Sequence, residues 1–198
     1  QDIFYLNDYE INEIILNQDS ISLPLPLHDS NKKEHTLFIL HRIFKSLHPT
    51  KRSKLIENFS ERTASINKLS DDYKPITTDG IKKINSNNLF TIGGHSHSHC
   101  SLGLIDEKIM DEEIKSNKLI LEDILKVSIK HFSYPFGGET DYNSSVMDTV
   151  NSLDYKTAVT TVRRACGLET DKLQIPRFSI KNIGESIFKA KLNNYFYQ

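Results

Sequence analysis

Residues 89–99 read Leu-Phe-Thr-Ile-Gly-Gly-His-Ser-His-Ser-His, an apolar run followed by two glycines and three histidines. A short apolar run bounded by turn residues is typical of a buried strand, so we predict a strand over 89–92. Glycine tolerates sharp backbone turns, and Gly93-Gly94 is expected to provide one directly after that strand. The histidines therefore follow a strand end, which is where parallel α/β proteins place their sites.

The sequence on either side of this stretch alternates between helical and strand patterns. A helix over 81–87 is predicted before it, with Thr77 or Thr78 as the N-cap. The elements predicted after it are a helix over 106–126, a strand over 131–134, a helix over 144–153, a strand over 157–160 and a last strand edge over 175–180. This alternation predicts an α/β fold built on a parallel sheet or barrel.

The first third of the chain has a different, more hydrophilic composition. Its predicted elements are an amphipathic helix over 1–16, a short edge segment over 20–27, and helices over 34–49 and 51–59. The edge segment contains two prolines, each of which removes a donor from a strand ladder. We interpret residues 1–70 as an inserted helical cap and residues 71–198 as the part of the domain that carries the core.

The composition narrows the class of function. A chain of 198 residues, 37% of them hydrophobic, can bury the core of one domain without disulfides. Its 25 basic residues balance 26 acidic ones, so no basic field attracts nucleic acid or anionic lipid. Cys100 and Cys166 form no CxxC pair, which argues against a cysteine-built zinc knuckle. Neither a transmembrane run nor a signal peptide is visible, so we expect the cytoplasm ahead of the cell envelope.

The histidine cluster suggests metal chemistry, since three of the eight histidines stand within five positions. His95 and His99 are four residues apart, so a helix start at Ser98 and His99 lets both imidazoles face one point while His97 points elsewhere. Imidazole suits Zn²⁺ first, with Co²⁺, Ni²⁺ and Mn²⁺ as alternatives, and a hydrolytic site adds a third ligand and an open position for water. We predict a metal site at His95 and His99; the alternative is a surface histidine run.

Two further segments offer candidate binding residues. Residues 132–138 read Phe-Ser-Tyr-Pro-Phe-Gly-Gly, an aromatic corner at a strand end. Such a corner can form the wall of a groove that stacks on a sugar ring, or it can be turn chemistry with aromatic core packing. Arg177, between apolar residues in IPRFSI, fits either an orienting role toward a carboxylate or an ordinary surface charge. On these residues alone both pairs of alternatives stay open.

Together these segments resemble the polysaccharide deacetylase family, the NodB-homology domain of carbohydrate esterase family 4. The matching segments are 91–99, similar to the GxH(S/T)xxH motif; 113–122, similar to the EIxxSKxxLE helix; 132–137, similar to the FxYPYG motif of members linked to surface polysaccharide synthesis; 153–160, similar to GFxxAxT; and 175–177, similar to LPR. They cover about residues 75–180 in the family's order. The resemblance implies a distorted (β/α) barrel with a helical insertion in the N-terminal third.

The resemblance also implies a function. It implies a metal-dependent hydrolase that removes N-acetyl groups from amino sugars of a polysaccharide or glycan precursor, with an N-acetylated saccharide as partner. The residues that it assigns are His95 and His99 as metal ligands, and Tyr134, Pro135, Phe136 and Arg177 as substrate-binding residues. The competing classes are a catalytically inactive carbohydrate-binding relative and a metal-buffering or purely structural α/β domain.

Three departures from the family pattern bear on activity. The TFDDG motif, which supplies a metal-binding Asp and the general base, has no match, and Asp71-Asp72 stands in a polar loop. We expect that motif, and the first strand of the barrel, to lie upstream of Gln1. Ser133 stands where the family has an Arg, with Arg177 as a candidate substitute, and no histidine after His131 matches the general acid. We therefore expect weak metal binding and little or no deacetylase activity from this chain.

Overall fold

The structure is a computed structural model that describes residues 13–18, 21–26, 29–62 and 75–196. Contacts within the chain divide it into two compact units, Gln1–Pro75 and Ile76–Gln198. The described elements of the first unit are strands β1 (Glu13–Gln18) and β2 (Ile21–Pro26) and helices α1 (Ser30–Ser46) and α2 (Pro49–Arg62). The interpretation of residues 1–70 as an inserted cap stays a prediction.

The two strands of the first unit pair antiparallel, with Glu13 opposite Pro26 and Gln18 opposite Ile21. The helix predicted over 1–16 is therefore wrong where it reaches 13–16, and residues 1–12 lie outside the described residues. The run Ile14-Ile15 is β-branched, and pairing with a neighbouring strand prevails over helical spacing in such short segments. The edge segment predicted over 20–27 is confirmed as β2.

Helix α1 begins earlier than its apolar spacing predicts, because Asp29 caps it. The Asp29 side chain accepts a hydrogen bond from the Lys32 amide at 2.8 Å. Pro49 was expected to end the first helix, but α1 already ends at Ser46 and Pro49 is the first residue of α2. Proline suits that position because its fixed φ is helical and the first helical amides have no partner within the helix.

The second unit alternates helices and strands. Its elements are α3 (Thr78–Asn85), a 3₁₀ turn (Leu102–Leu104), α4 (Glu107–Leu125), β3 (His131–Ser133), α5 (Ser144–Ser152), β4 (Thr157–Val159) and α6 (Glu185–Phe196). Strands β3 and β4 pair parallel, with Phe132 opposite Ala158. This confirms the predicted α/β alternation over 106–160. In the described residues the parallel sheet has two strands, and the barrel stays a prediction.

Local capping explains the bounds of two helices in this unit. Thr77 caps α3 as predicted, because its hydroxyl accepts a hydrogen bond from the Gly80 amide at 3.1 Å. Asp106 caps α4 in the same way through the Lys108 amide at 2.9 Å, and Lys126 ends that helix in the left-handed conformation.

None of the helices in the described part of the chain has the length and the apolar run that a membrane span requires.

The core of the second unit lies between the sheet and helices α4 and α5. Its buried apolar residues are Cys100, Leu102, Met110, Ile114, Ile129, Phe132, Tyr134, Val146, Val150, Tyr155 and Ala158. The Phe132 ring contacts the rings of Tyr134 and Tyr155, with centroids 5.4 and 5.2 Å away. This packing fixes the end of β3, beside which residues 95–99 lie.

The strand predicted over 89–92 is not formed. Leu89 is 87% exposed and Phe90 is 56% exposed, and only Ile92 of this apolar run packs against the core. This segment pairs with the sheet at Gly94, through a single parallel bridge to Phe132. The predicted strand edge over 175–180 is likewise reduced to a single bridge between Val159 and Ile175.

The sharp turn predicted at Gly93-Gly94 is not formed at these two residues, which instead allow close packing. A Cβ atom on Gly93 would lie 2.9 Å from the His131 carbonyl oxygen, and one on Gly94 would lie 2.9 Å from Phe132 Cδ2. Neither glycine has a positive φ. Their lack of a side chain lets the backbone come close enough for Gly94 to exchange hydrogen bonds with His131 and Ser133, at 2.8 and 2.9 Å.

Candidate functional site

The candidate site lies at the C-terminal end of β3, where residues 95–99, the histidine loop, follow the bridge at Gly94. The pairing of Gly94 with β3 brings His95 to Ser133, the last residue of that strand. His95 Nδ1 lies 2.6 Å from the Ser133 main-chain oxygen. Because a carbonyl oxygen only accepts hydrogen bonds, Nδ1 carries the hydrogen, and in the neutral imidazole Nε2 keeps its lone pair.

The structure brings the two predicted ligand side chains together. The rings of His95 and His99 meet edge to face, with centroids 4.8 Å apart and planes at 80°. Both residues are exposed. The His99 ring also contacts the Phe136 ring, with centroids 4.8 Å apart. The two imidazoles and one aromatic ring thus share one patch at the strand end, while metal binding by the histidines stays a prediction.

The imidazoles meet by a route that the four-residue spacing did not predict. No helix starts at Ser98; the loop is irregular, with Ser96 and His99 at φ values of 59° and 55°. The left-handed conformation costs a residue other than glycine about 1–2 kcal/mol. The His99 amide donates to Ser96 Oγ at 2.9 Å, which offsets part of that cost inside the loop.

Helix α4 contacts the histidine loop from beneath, which sequence reasoning missed. Glu113 accepts hydrogen bonds from the amides of His97 and Ser98, and Asn117 accepts one from the amide of His95. Glu113 and Asn117 are four residues apart, so they share one face of the helix. Polar residues on the otherwise apolar side of a helix were the available signal.

Arg177 reaches the same strand end. Its Nε donates to the Thr160 carbonyl at 2.7 Å and its Nη2 donates to Ser133 Oγ at 3.2 Å. Ser133 stands at the position where the family pattern has an Arg. Its hydroxyl accepts a hydrogen bond from the Arg177 guanidinium, and its main-chain carbonyl accepts one from the His95 ring. The structure places Arg177 within this site; its role toward substrate stays a prediction.

The aromatic corner divides between core and surface. Tyr134 is fully buried, donates from its hydroxyl to the Leu173 carbonyl at 2.8 Å and stacks on Tyr142. Burial raises the pKa of the Tyr134 hydroxyl well above its usual value. Pro135 is buried as well. The expectation that Tyr134 lines a groove is corrected, because its ring fills the core and supports the corner from inside; Phe136 is half-buried and faces His99.

The donor set of the site is incomplete within the described residues. No group of three His, Cys, Asp or Glu side chains among residues 29–62 and 75–196 is arranged to hold a metal ion. Asp71 and Asp72 lie outside the described residues. Two adjacent exposed imidazoles, one with its tautomer set by a carbonyl, fit a divalent ion as part of its coordination shell.

A family model matches most of this chain. The family model described as polysaccharide deacetylase matches residues 25–158, which is more than half of the chain. The match includes the histidine loop, α4, β3 and α5. No curated protein matches the chain.

Two solved structures are similar to this chain. The deacetylase PplD of Streptococcus pyogenes, solved in complex with acetate, is 22% identical with a TM-score of 0.50, over 56% of this chain and 47% of that one. A polysaccharide deacetylase from Bacillus cereus is 21% identical with a TM-score of 0.44, over 60% of this chain and 42% of that one. The chain thus spans less than half the length of either, and the likeness to the first concerns the fold alone.

Proposed function

The chain belongs to the polysaccharide deacetylase family, whose model matches more than half of it, and from that premise we propose that His95 and His99 form part of a divalent metal site for amide hydrolysis on amino sugars. The observation that supports this proposal is the meeting of the two imidazoles, 4.8 Å apart, at the end of β3. Zn²⁺ is the expected metal, with Co²⁺, Ni²⁺ and Mn²⁺ as alternatives.

The hydrogen bond of His95 supports a ligand role for its other nitrogen. Metal-binding histidines usually donate their second ring N–H to a carboxylate or a main-chain carbonyl, which fixes the tautomer and the ring orientation. The Ser133 carbonyl, 2.6 Å from Nδ1, is such an acceptor. His95 would then bind through Nε2.

The reaction proposed is the removal of an acetyl group from an N-acetylated sugar. The amide C–N bond breaks, water supplies a hydroxyl to the acetyl carbon and a proton to the nitrogen, and acetate and a free amine leave. When bound, a divalent ion supplies Lewis acidity, which polarises a carbonyl and activates water. A general base for the water is not assigned among the described residues, so we expect little or no hydrolysis by this chain alone.

The remaining residues of the site would bind the substrate. The Phe136 ring, half-buried beside His99, offers an apolar face against which a sugar ring can pack. The Arg177 guanidinium is held at Thr160 and Ser133, which orients a fixed positive charge at the strand end. Such a charge favours a carboxylate or a developing negative charge on the acetyl group.

A catalytically inactive, carbohydrate-binding domain is the second candidate function. The observation that favours it is the donor set of two imidazoles, since no three-ligand group is found in the described part of the chain. This candidate uses the same Phe136 and Arg177 surface and does not require the metal. It predicts saccharide binding that is unchanged by a chelator.

Calorimetric zinc titration of the chain tests the metal site, with His95→Ala, His99→Ala and, as the matched control, His97→Ala. We expect the first two variants to lose zinc binding and the third to keep it. Equal behaviour of all four proteins would remove the metal site from the proposal. Saccharide binding measured with and without a chelator then separates the two candidate functions. Zinc-dependent release of acetate from an N-acetylhexosamine oligomer by this chain would contradict the expected lack of activity.

A further inference from the structure

We infer that Glu113 and Asn117 of α4 are positioning residues, which set the backbone of the histidine loop so that the imidazoles of His95 and His99 meet. Neither residue contacts substrate or metal in this inference. Each acts on the site through main-chain amides of the loop. The part of the inference that concerns zinc rests on the proposed function, while the part that concerns the loop does not.

Glu113 is a buried carboxylate whose partners lie in the loop. The residue is 7% exposed, and burying a charged group is costly unless hydrogen bonds compensate it. Its Oε2 accepts from the Ser98 amide at 2.7 Å, and its main-chain oxygen accepts from the His97 amide at 3.0 Å. Glu113 therefore holds two consecutive residues of the loop.

Asn117, one turn further along α4, holds the start of the loop. Its Oδ1 accepts from the His95 amide at 3.0 Å. The same oxygen would lie 3.1 Å from a Cβ atom on Gly94. Because glycine has no Cβ, the side-chain amide of Asn117 can approach the backbone of the loop this closely. Three amides of the histidine loop thus end on one face of one helix.

The loop needs external support because its own conformation is unfavourable. Ser96 and His99 both have positive φ, and each costs about 1–2 kcal/mol relative to an ordinary conformation. The internal bond from the His99 amide to Ser96 Oγ is a single neutral hydrogen bond, worth about 0.5–1.5 kcal/mol. The bonds to α4 add three contacts from outside the loop, and we expect the loop to relax and the two rings to separate when they are lost.

The experiment compares Glu113→Ala, Glu113→Gln and Asn117→Ala with Glu112→Ala, an exposed neighbour on the same helix, as control. Two quantities are measured: zinc affinity by calorimetry, and hydrogen exchange of the loop amides by NMR in the metal-free protein. Loss of a residue that orients a metal ligand typically lowers metal affinity 10–100-fold. We expect a loss of that size for Glu113→Ala, with exchange at the Ser98 amide at least tenfold faster.

The conservative variant separates positioning from charge. Glutamine keeps an oxygen that accepts from Ser98, so Glu113→Gln should stay within about threefold of the wild type in both measurements. Asn117→Ala should speed exchange at the His95 amide and also weaken zinc binding, which keeps the inference testable where Glu113→Ala fails to fold. Glu112→Ala should match the wild type in both.

Each contrary result has a definite meaning. Wild-type exchange and zinc affinity in both Glu113→Ala and Asn117→Ala would overturn the inference. Failure of Glu113→Gln to restore what Glu113→Ala loses would overturn it too, because charge and not the hydrogen-bond acceptor would then be responsible. A wild-type chain that binds no zinc would refute the proposed metal site alone, since the exchange rates in the metal-free protein still decide the role of α4.

Discussion

His95 Nδ1 lies 2.6 Å from the main-chain oxygen of Ser133, so the last residue of β3 sets the tautomer of the first histidine in the loop. The side chain of Ser133 meanwhile accepts a hydrogen bond from Arg177. One strand end therefore joins an imidazole, a hydroxyl and a guanidinium. This arrangement depends on how closely Gly94 approaches the strand. Small changes in packing at Gly94 should therefore shift the side chains of the site.

The first prediction concerns that close approach. Gly94→Ala should destabilise the protein by about 1–3 kcal/mol, as overpacking of a filled interior usually does. The added Cβ would press on the Tyr155 hydroxyl and on Phe132 Cδ2. Urea denaturation measures the loss. Gly167→Ala is the matched control, because a Cβ atom at Gly167 has no neighbour within 4 Å and the φ of this residue is not positive. Its denaturation midpoint should be close to that of the wild type. Equal midpoints for both variants would contradict the account of Gly94.

The second prediction separates the two rings of the aromatic corner. Tyr134→Phe removes the hydroxyl bond to the Leu173 carbonyl and should cost about 0.5–1.5 kcal/mol of unfolding free energy. It should leave saccharide binding unchanged, because the ring is buried. Phe136→Ala should have the reverse effect, weakening saccharide binding measured by calorimetry while changing stability less. Weaker saccharide binding by Tyr134→Phe would restore Tyr134 to the groove.

The third prediction concerns Arg177. Arg177→Met removes the hydrogen bonds to the Thr160 carbonyl and Ser133 Oγ, so we expect a loss of about 1 kcal/mol in stability. Binding of acetate, measured by NMR titration, should also weaken because the fixed positive charge is gone. Arg163→Met, in an exposed loop position, is the control and should leave both quantities unchanged. Unchanged acetate binding in Arg177→Met would remove this residue from substrate recognition.

The fourth prediction is a pH dependence. A hydrogen bond from the Ile129 amide, helped by Lys118, holds the pKa of Glu122 below the usual 4.5. A lowered carboxyl pKa in the folded state stabilises it above the unfolded pKa, and this stabilisation is lost as the pH falls through the folded pKa. The Glu122→Gln variant should therefore show a shallower loss of stability below about pH 4.5, measured by thermal unfolding across pH. Glu112→Gln serves as the control. If Glu122→Gln lost stability at acid pH as steeply as the wild type, Glu122 would not be a source of this pH dependence.

Much of the second unit could be predicted because its signals are local. Caps such as Thr77, helical spacing along α4, and the turn after β3 are all encoded within a few residues of one another. The same holds for the family resemblance, since the order of its motifs is a property of the chain. The match of the family model to residues 25–158 confirms that resemblance.

The failures of prediction are failures to foresee partners. The run 89–92 has the composition of a strand, but a strand exists only where another strand pairs with it, and pairing begins at Gly94. Likewise, the spacing around Ile14-Ile15 fits a helix, and only the pairing with β2 shows that these residues form a strand. Tyr134 and Phe136 read alike in sequence, and only packing against Tyr142 or His99 separates core from surface.

The sequence by itself determined the family, the α/β alternation and the presence of three histidines after an apolar run, because motif order and periodicity are carried by neighbouring residues. Tertiary structure alone decided which groups share the site. His95, Ser133 and Arg177 are distant in the chain, and they meet because Gly94 and Arg177 approach the same strand end. Glu113 and Asn117 enter for the same reason: hydrogen bonds between distant segments depend on where the folded backbone places their donors.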